Sequence, residues 1–499
     1  MNPLKWFGFG GKRSAPPSSE RREPTVRSRS FKMAGGGGLS AAWTRRSTNA
    51  DANQAIFGDH ETLRQRAREQ SVNTATLKRF YRLLRQNVIG PYGIRLQSKA
   101  VLPDGLPDRV TRRLIEKEWQ KFCKKGQFDV TTRYSFVTFM WLWIETLARD
   151  GEVLVRIVRN WSNRWGFALQ MIEADRLDLT LNTLLDNGNR IRMGVELDDW
   201  ERPVAYWLLR DHPGDVIRRA EERYDRVPAS EMIHTFDPWR PHQSRGFTWT
   251  HASALDVHHL DEFRQAALVK ARISASLTGH YVQDAEWLDP PDEDDDPPIE
   301  EEITPGEGKL LPYGVDFKQL NTQGPGSDYA AFVKDGNRNA AAGLGPSYHR
   351  LAHDLEGVSF SSLRSGELDE RDFYKCVQEF AISELLERIG EEWLNSSILR
   401  NVIKIAPRDL ERSTELVWQA RGWDWVDPLK DSKAASESIG NRTKSRSEYI
   451  RANGDDPDEV FAEIAAEEEQ LRKLGLAPIH KPSNEDPPDD KADDAPDDD

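Results

Sequence analysis

Two cysteines in 499 residues, Cys123 and Cys376, stand far apart with no ligand-spaced neighbour, which argues against both a disulfide framework and a cysteine zinc site. Long hydrophobic runs are missing as well. The richest, Phe139 to Ala148, is interrupted by Glu145 and falls short of the ~20 apolar residues that a membrane helix needs. No membrane partner is therefore expected. The start of the chain offers no continuous apolar stretch either, since Lys5 to Lys12 is glycine-rich, and a secretory signal is not expected. No repeat of fixed period is visible, so a solenoid is not indicated.

What is present is charge, unevenly placed. The formal net charge of −14 divides into +8 over residues 1–50, −15 over 51–480 and −7 over 481–499. Within the middle part, Asp284 to Glu302 holds eleven acids and no base, interleaved with Pro290, Pro291, Pro297 and Pro298. Such a stretch cannot bury enough apolar surface to order itself and reads as an exposed loop. The first fifty residues, basic and rich in Ser, Pro and Gly, read as a disordered arm, and the acidic end as a disordered tail.

Between these ends the periodicity changes twice. Leu63, Ala67, Leu77, Phe80, Tyr81, Leu84 and Val88 share a helical face before Gly90-Pro91. Asp108 to Phe122 places Val110, Leu114, Ile115, Trp119 and Phe122 together. From Gly151 to Asp237 the pattern turns to period two, with Val153, Val155 and Ile157, then Val204, Tyr206 and Leu208, around the turn Asp186 to Asn189. Helical spacing returns from Thr250 to Val282, a strand pair is expected around Lys309 to Leu320, and a second helix over Asp328 to Ala342. A loop at Gly357 to Ser362 precedes a helix over Leu368 to Leu399, with the stripe Phe373, Val377, Phe380, Ala381, Leu385, Ile389 and Trp393. The last element, Asp431 to Leu474, reads as helix broken near Asn453-Gly454.

Catalytic chemistry finds little support in these residues. A phosphate-binding loop needs two spaced glycines, a Lys and a following hydroxyl, and Gly10-Gly11-Lys12-Arg13-Ser14 has Trp6 and Arg13 at two of those places. His251 and His258, with Asp256, Asp261 and Glu262 nearby, lack the i, i+4 geometry of a helical metal pair. His349 and His353 have that spacing, yet no Glu stands between them as zincins require. A G-x-S-x-G elbow is absent. No catalytic residue, cofactor or metal is expected. Trp239, Trp249, Trp418, Trp423 and Trp425 form two clusters that read as packing rather than base stacking, because Arg240 and Arg245 give only modest support for the basic groove that stacking needs.

Several separated strings carry a resemblance. Arg226 to His234, then Phe236, Arg240-Pro241, Gln243 and Arg245-Gly246, together resemble the most distinctive stretch of the lambda-type portal proteins of tailed bacteriophages. So do Leu344 to Tyr348 leading to Gly357 to Arg364, and Trp425-Val426-Asp427-Pro428-Leu429-Lys430. Arg64 to Arg68 with Asn87 to Gly90, Gly93 and Ile94 look like the family's opening. The likeness covers about residues 50 to 475, in the family's order.

The resemblance implies an α+β chain in the portal fold: a mixed α/β wing, long stem helices, a small β-containing clip and a helical crown, forming a ring typically of twelve copies. Its expected parts are a basic arm at 1–50, wing at 51–250, stem at 251–283 and 328–345, clip at 284–327, channel loop region at 346–367, a wing and crown-base helix at 368–430, crown at 431–475 and tail at 476–499. Implied partners are the terminase large subunit, the major capsid protein, head-completion and tail connector proteins, and transiently bound double-stranded DNA. The expected DNA-channel loop is Glu356, Gly357, Val358, Ser359, Phe360, Ser361 and Ser362. The expected structural motif residues are Arg240, Gln243, Arg245, Gly246, Trp425, Asp427, Pro428 and Lys430. Asp292, Glu293, Asp294, Asp295 and Asp296 are a candidate docking segment for a basic partner. The competing expectations are a nucleic-acid-processing enzyme of the packaging machinery and a head-tail connector of another fold.

Overall fold

The computed structural model describes residues 50–217, 223–275, 279–283, 315–319, 328–423 and 428–476. The basic arm before residue 50, the acidic run with Asp292 to Asp296, the motif residues Trp425 and Asp427, and the acidic tail after residue 476 lie outside the described residues. Two compact units are separated between Ala420 and Arg421.

The first unit begins with α1 (Ala52–Phe57), α2 (His60–Asn73) and α3 (Ala75–Leu84), the last running into a π-helical turn over Arg85–Ile89. The predicted stripe from Leu63 to Val88 is buried throughout, but Thr74 adopts extended backbone and divides it into two helices. After β1 (Arg95–Ser98), Asp108 accepts hydrogen bonds from the Val110 and Thr111 amides and caps α4 (Arg109–Phe122). Ile115, Trp119 and Phe122 face the core, whereas Val110 in the first turn is exposed. A capping box between Ser135 and Thr138 starts α5 (Phe136–Asp150), the apolar run noted above, which is largely buried.

Two antiparallel sheets follow. In the first, β2 (Glu152–Arg159) lies between β3 (Phe167–Ile172) and β9 (Met232–Phe236), so that Arg156 stands opposite both Gln170 and Met232. The second is a meander of β4 (Thr183–Leu184), β5 (Arg190–Arg192), β6 (Val195–Leu197), β7 (Pro203–Leu209) and β8 (Tyr224–Pro228). Leu154 and Ile172 of one sheet close a core with Val195, Tyr206, Leu208 and Val227 of the other. Alternating apolar residues thus meet across a two-layer interior, as period two dictates.

Helix is then less extensive than the spacing predicts. A 3-10 turn over Trp249–Ala252 precedes α6 (Ala254–Ala275), and the chain pairs as strand β10 (Gly279–Gln283) where helix was expected. Gly279 is costly in a helix, and Tyr281 and Val282 suit a strand. The partner of β10 is β11 (Val315–Gln319), so the expected strand pair is one strand from each side of the acidic run and not a hairpin within 309–320. Helix α7 (Tyr329–Leu344) packs beside α6, and α8 (Tyr348–Ala352) is a single short turn.

Next, α9 (Phe360–Ala381) passes through a second π-helical turn, Ile382–Leu386, into α10 (Glu387–Leu399). Its start lies eight residues earlier than expected because Ser359 caps it. Trp393 on α10 meets Trp119 edge-on at 5.0 Å within an aromatic core that includes Phe122 and Trp418. The unit ends with α11 (Leu410–Ser413) and β12 (Leu416–Gln419), which pairs with β1 over more than 300 positions of sequence. The second unit holds α12 (Pro428–Gly440), α13 (Arg446–Ala452) and α14 (Pro457–Lys473). Besides the expected break, the helix is interrupted at Asn441 to Lys444, where Arg442 has a left-handed backbone (φ 58°).

Candidate functional site

The segment between α8 and α9 is an exposed loop with two fixed stalks. His353 ends α8 in a left-handed conformation and turns the chain outward. Asp354 then anchors the first stalk: its carboxylate accepts hydrogen bonds from the Tyr348 hydroxyl and the Glu356 amide (3.0 Å), and lies 3.8 Å from Lys334 Nζ on α7. The Tyr348 hydrogen bond, foremost, holds the Asp354 carboxyl below its usual range. Burial and the same carboxylate push Tyr348 up to about 12. His349 Nδ1–H donates to the Asp354 carbonyl at 2.9 Å.

The second stalk is the start of α9. Ser359 Oγ accepts from the Ser362 amide (3.2 Å) and pairs with the Ser362 hydroxyl (2.8 Å), closing the first helical turn. The free loop is therefore His353 to Ser359. Ser361 and Ser362, expected in the loop, belong to the helix, and so does Phe360 by its backbone. At the tip, Leu355, Glu356 and Gly357 are exposed and Val358 is half-buried. Gly357 has φ 69° and open space around it, as a sharp exposed turn requires.

The motif around residue 245 has a different environment. Arg245 is completely buried. Its Nε and Nη2 reach both oxygens of Glu152 (2.8 and 2.5 Å), Nη1 donates to the Leu177 and Met193 carbonyls, and Nη2 also donates to the Ala174 carbonyl. Glu152, equally buried, accepts further hydrogen bonds from the Gly246 amide (3.1 Å) and His234 Nε2 (3.0 Å). Burial opposes ionisation of Glu152, but Arg245 first and then the His234 hydrogen bond outweigh it, leaving the carboxyl well below its ordinary value.

Two helices tie into this hub. His60 Nδ1 accepts from Arg64 Nη2 (2.7 Å) and its Nε2–H donates to the Gly246 carbonyl (2.7 Å), which fixes a neutral ring. Burial, then the Arg64 charge, lowers its pKa to about 3. Arg68 bridges Asp150 (2.7 Å) and Asp175 (2.6 Å). Gln243 holds the adjoining turn, accepting from the Trp239 and Arg240 amides and donating to the Arg245 carbonyl. Gly246 is required by close approach: a Cβ there would lie 2.1 Å from the Gly151 carbonyl oxygen.

The expected motif residues therefore separate. Gln243, Arg245 and Gly246 form one buried structure with Glu152, His60, Arg64 and His234. Arg240 stays at the surface beside Trp239 and donates to the Ala50 carbonyl. Pro428 and Lys430 begin α12 in the second unit. Trp418 is a core residue as its packing role predicts, whereas Trp239 is half exposed. Glu152 belongs to none of these strings, although a carboxylate opening the apolar run Val153-Leu154-Val155 is a visible anomaly.

The hub is sealed from solvent and cannot meet a substrate, so what it does is hold α2, β2, β9 and the 239–246 turn in one arrangement. Among the described residues, Glu173, Asp175 and His212 cluster at metal-ligand spacing. Their hydrogen bonds do not suit an ion: the Gly214 amide donates to His212 Nδ1, which leaves the proton on Nε2 facing Glu173 at 3.1 Å. Asp175 is already engaged by Arg68 and Arg64. His258 pairs with Glu262 at the surface, and His251 with the Thr248 carbonyl. No described helix is long and apolar enough to cross a membrane.

The chain is similar to several known proteins. The probable portal protein of Halomonas phage phiHAP-1 is 59% identical over 477 residues, covering 94% of this chain and 92% of the relative. Portal protein B of Escherichia phage lambda is 23% identical over 409 residues, covering 74% and 76%. A solved structure described as the neck of a native GTA particle computed with C12 symmetry aligns over 78% of this chain and 94% of its own, at 11% identity and TM-score 0.43. The family model described as phage portal protein, lambda family, matches residues 36–378, and the chain belongs to that family.

Proposed function

We propose that twelve copies of the chain form a ring at one capsid vertex, through which a separate terminase drives double-stranded DNA and to which head-completion or tail proteins then attach. Membership of the family already makes the chain a phage portal protein and a structural component of the virion. In the finer reading, residues 51–250 form the wing, α6 and α7 the stem, the segment between them the clip, and the second unit the crown. No catalytic step is assigned to the chain, and the packaging motor is a separate protein.

The observation that carries this reading is the loop at 353–359, held at both stalks and free of Lys and Arg at its tip. A conduit must not grip its cargo, because each phosphate neutralised by a cation releases counterions and adds affinity. An aliphatic and weakly acidic tip touches a duplex without binding it. The −15 of residues 51–480 favours the same outcome. Val358→Lys should leave ring assembly intact while lowering the yield of DNA-filled particles several-fold. An unchanged yield of filled particles from that variant removes the loop from the channel.

A further inference from the structure

The α6–α7 pair is poorly covered. Helix α6 is buried at Ala254, Val257 and Leu260, but beyond that point its core contacts stop. Phe263 is 37% exposed, Leu268 53%, Val269 52%, and Phe332 on α7 54%. Four large apolar side chains on one helix pair are more than scattered exposure accounts for.

These side chains occupy different faces. Phe263, Ala266, Ala267 and Lys270 follow i, i+3, i+4, i+7 spacing along one edge of α6. With Asp328, Tyr329 and Phe332 of α7 they line a concavity of about 370 Å³. Phe263 stacks on Tyr329 and packs against Phe332, so the walls are aromatic. At 3.6 residues per turn, Leu268 and Arg272 lie roughly 140° and 180° round the α6 axis from Phe263. Asp261 and Gln265 share that second edge, which leaves the apolar Leu268 between polar residues on the edge opposite the concavity.

We propose that the concavity of one copy receives the Leu268 edge of the next copy, so that α6 carries both halves of a head-to-tail contact. The inference rests on the ring reading above. A cyclic ring needs two different, mutually complementary patches on each chain, and a patch that meets itself gives only a closed dimer. Here a nearly all-apolar hollow and an aliphatic projection stand on opposite edges of one helix. Lys270 also lines the hollow and Asp261 shares the projecting edge, and among these charges one opposed pair is available. Asp328 is exposed at the rim of the hollow, while Arg272 is exposed on the projecting edge. Rotation about an axis nearly parallel to α6 brings like heights together, and Arg272 then meets the neighbour's Asp328.

Cysteine pairing in the full-length chain tests this, with Cys376→Ser removing the exposed native thiol. Leu268→Cys combined with Phe332→Cys should give, under mild oxidation, a ladder of covalent oligomers extending to the full ring. Each single variant should give none. Ala267→Trp, which fills the hollow, should abolish rings while leaving the thermal midpoint of the monomer within a few degrees of the parent. If rings form but the double variant yields no ladder, the inference is overturned and the ring reading stands. Covalent dimers from Leu268→Cys alone overturn it too, since they require a patch that meets itself. A parent chain that forms no rings under any condition overturns the ring reading, and the inference with it.

Discussion

Arg245 and Glu152 show how an ion pair can be indispensable without being a large net source of stability. Bringing both charges out of water is costly, and only the complete set of partners offsets that cost. Arg245→Met leaves Glu152 buried without its main counter-charge and should lower stability by about 3–5 kcal/mol, read by denaturant unfolding. Replacing both by apolar residues of similar volume should cost less than the single change. That difference separates a broken pair from a lost contact.

His60 gives a pH signature at the same scale. Its pKa is about 3 in the folded chain against an ordinary 6.5. Between those values the unfolded chain binds the extra proton, so stability falls as pH drops from about 6.5 towards 3. Glu152 acts in the same direction lower down: its folded pKa is depressed, so its contribution is present above the unfolded value of about 4.3 and is lost as pH falls below it. His60→Gln should flatten the upper part of the profile measured by thermal midpoint and leave the acid limb. An unchanged slope between pH 6.5 and 5 contradicts the neutral, buried ring.

At the scale of elements, sequence pattern served best where one periodicity governed a buried face. The stripe from Leu63 to Val88 and the set Val153, Val155 and Ile157 in β2 are found buried as expected, whereas β7 buries Ala205 and Trp207 as well as Tyr206 and Leu208 and leaves Val204 half-buried. It served less well where a local competitor decided the outcome. Ser359 takes up the amide of Ser362 and moves the start of α9 into the expected loop. Gly279 and Val282 pair as strand with a segment more than thirty positions away, which no local window contains. Ser359→Ala should fray the first turn of α9 at a cost of about 1 kcal/mol, seen as faster amide exchange over 360–364. Asp354→Asn should raise proteolytic nicking within 353–359 without changing the exchange of α7. Equal rates in variant and parent would show that the Asp354 anchor does not hold the loop.

The site was legible only in part, for the same physical reason. Gly246 and Arg245 stand in a recognisable string, but the partners that explain them, Glu152, His60 and His234, come from elements far apart in sequence. Glu152 and His60 stand in no recognisable string, and His234 stands only at the end of one. A buried charge announces itself by interrupting an apolar run. It does not announce which charge it meets.

For the whole molecule, charge and exposure point the same way. The chain carries −14 overall, yet its α6–α7 pair is apolar on one edge and mixed on the other. Like-charged copies can associate only if apolar contact and a few opposed pairs outweigh their repulsion. Association should therefore strengthen as salt screens that repulsion. The most direct test is imaging and native mass measurement of the purified full-length chain across a range of salt. Closed rings of twelve copies are expected, with a population that grows from low to moderate salt. A chain that stays monomeric or dimeric throughout would contradict this.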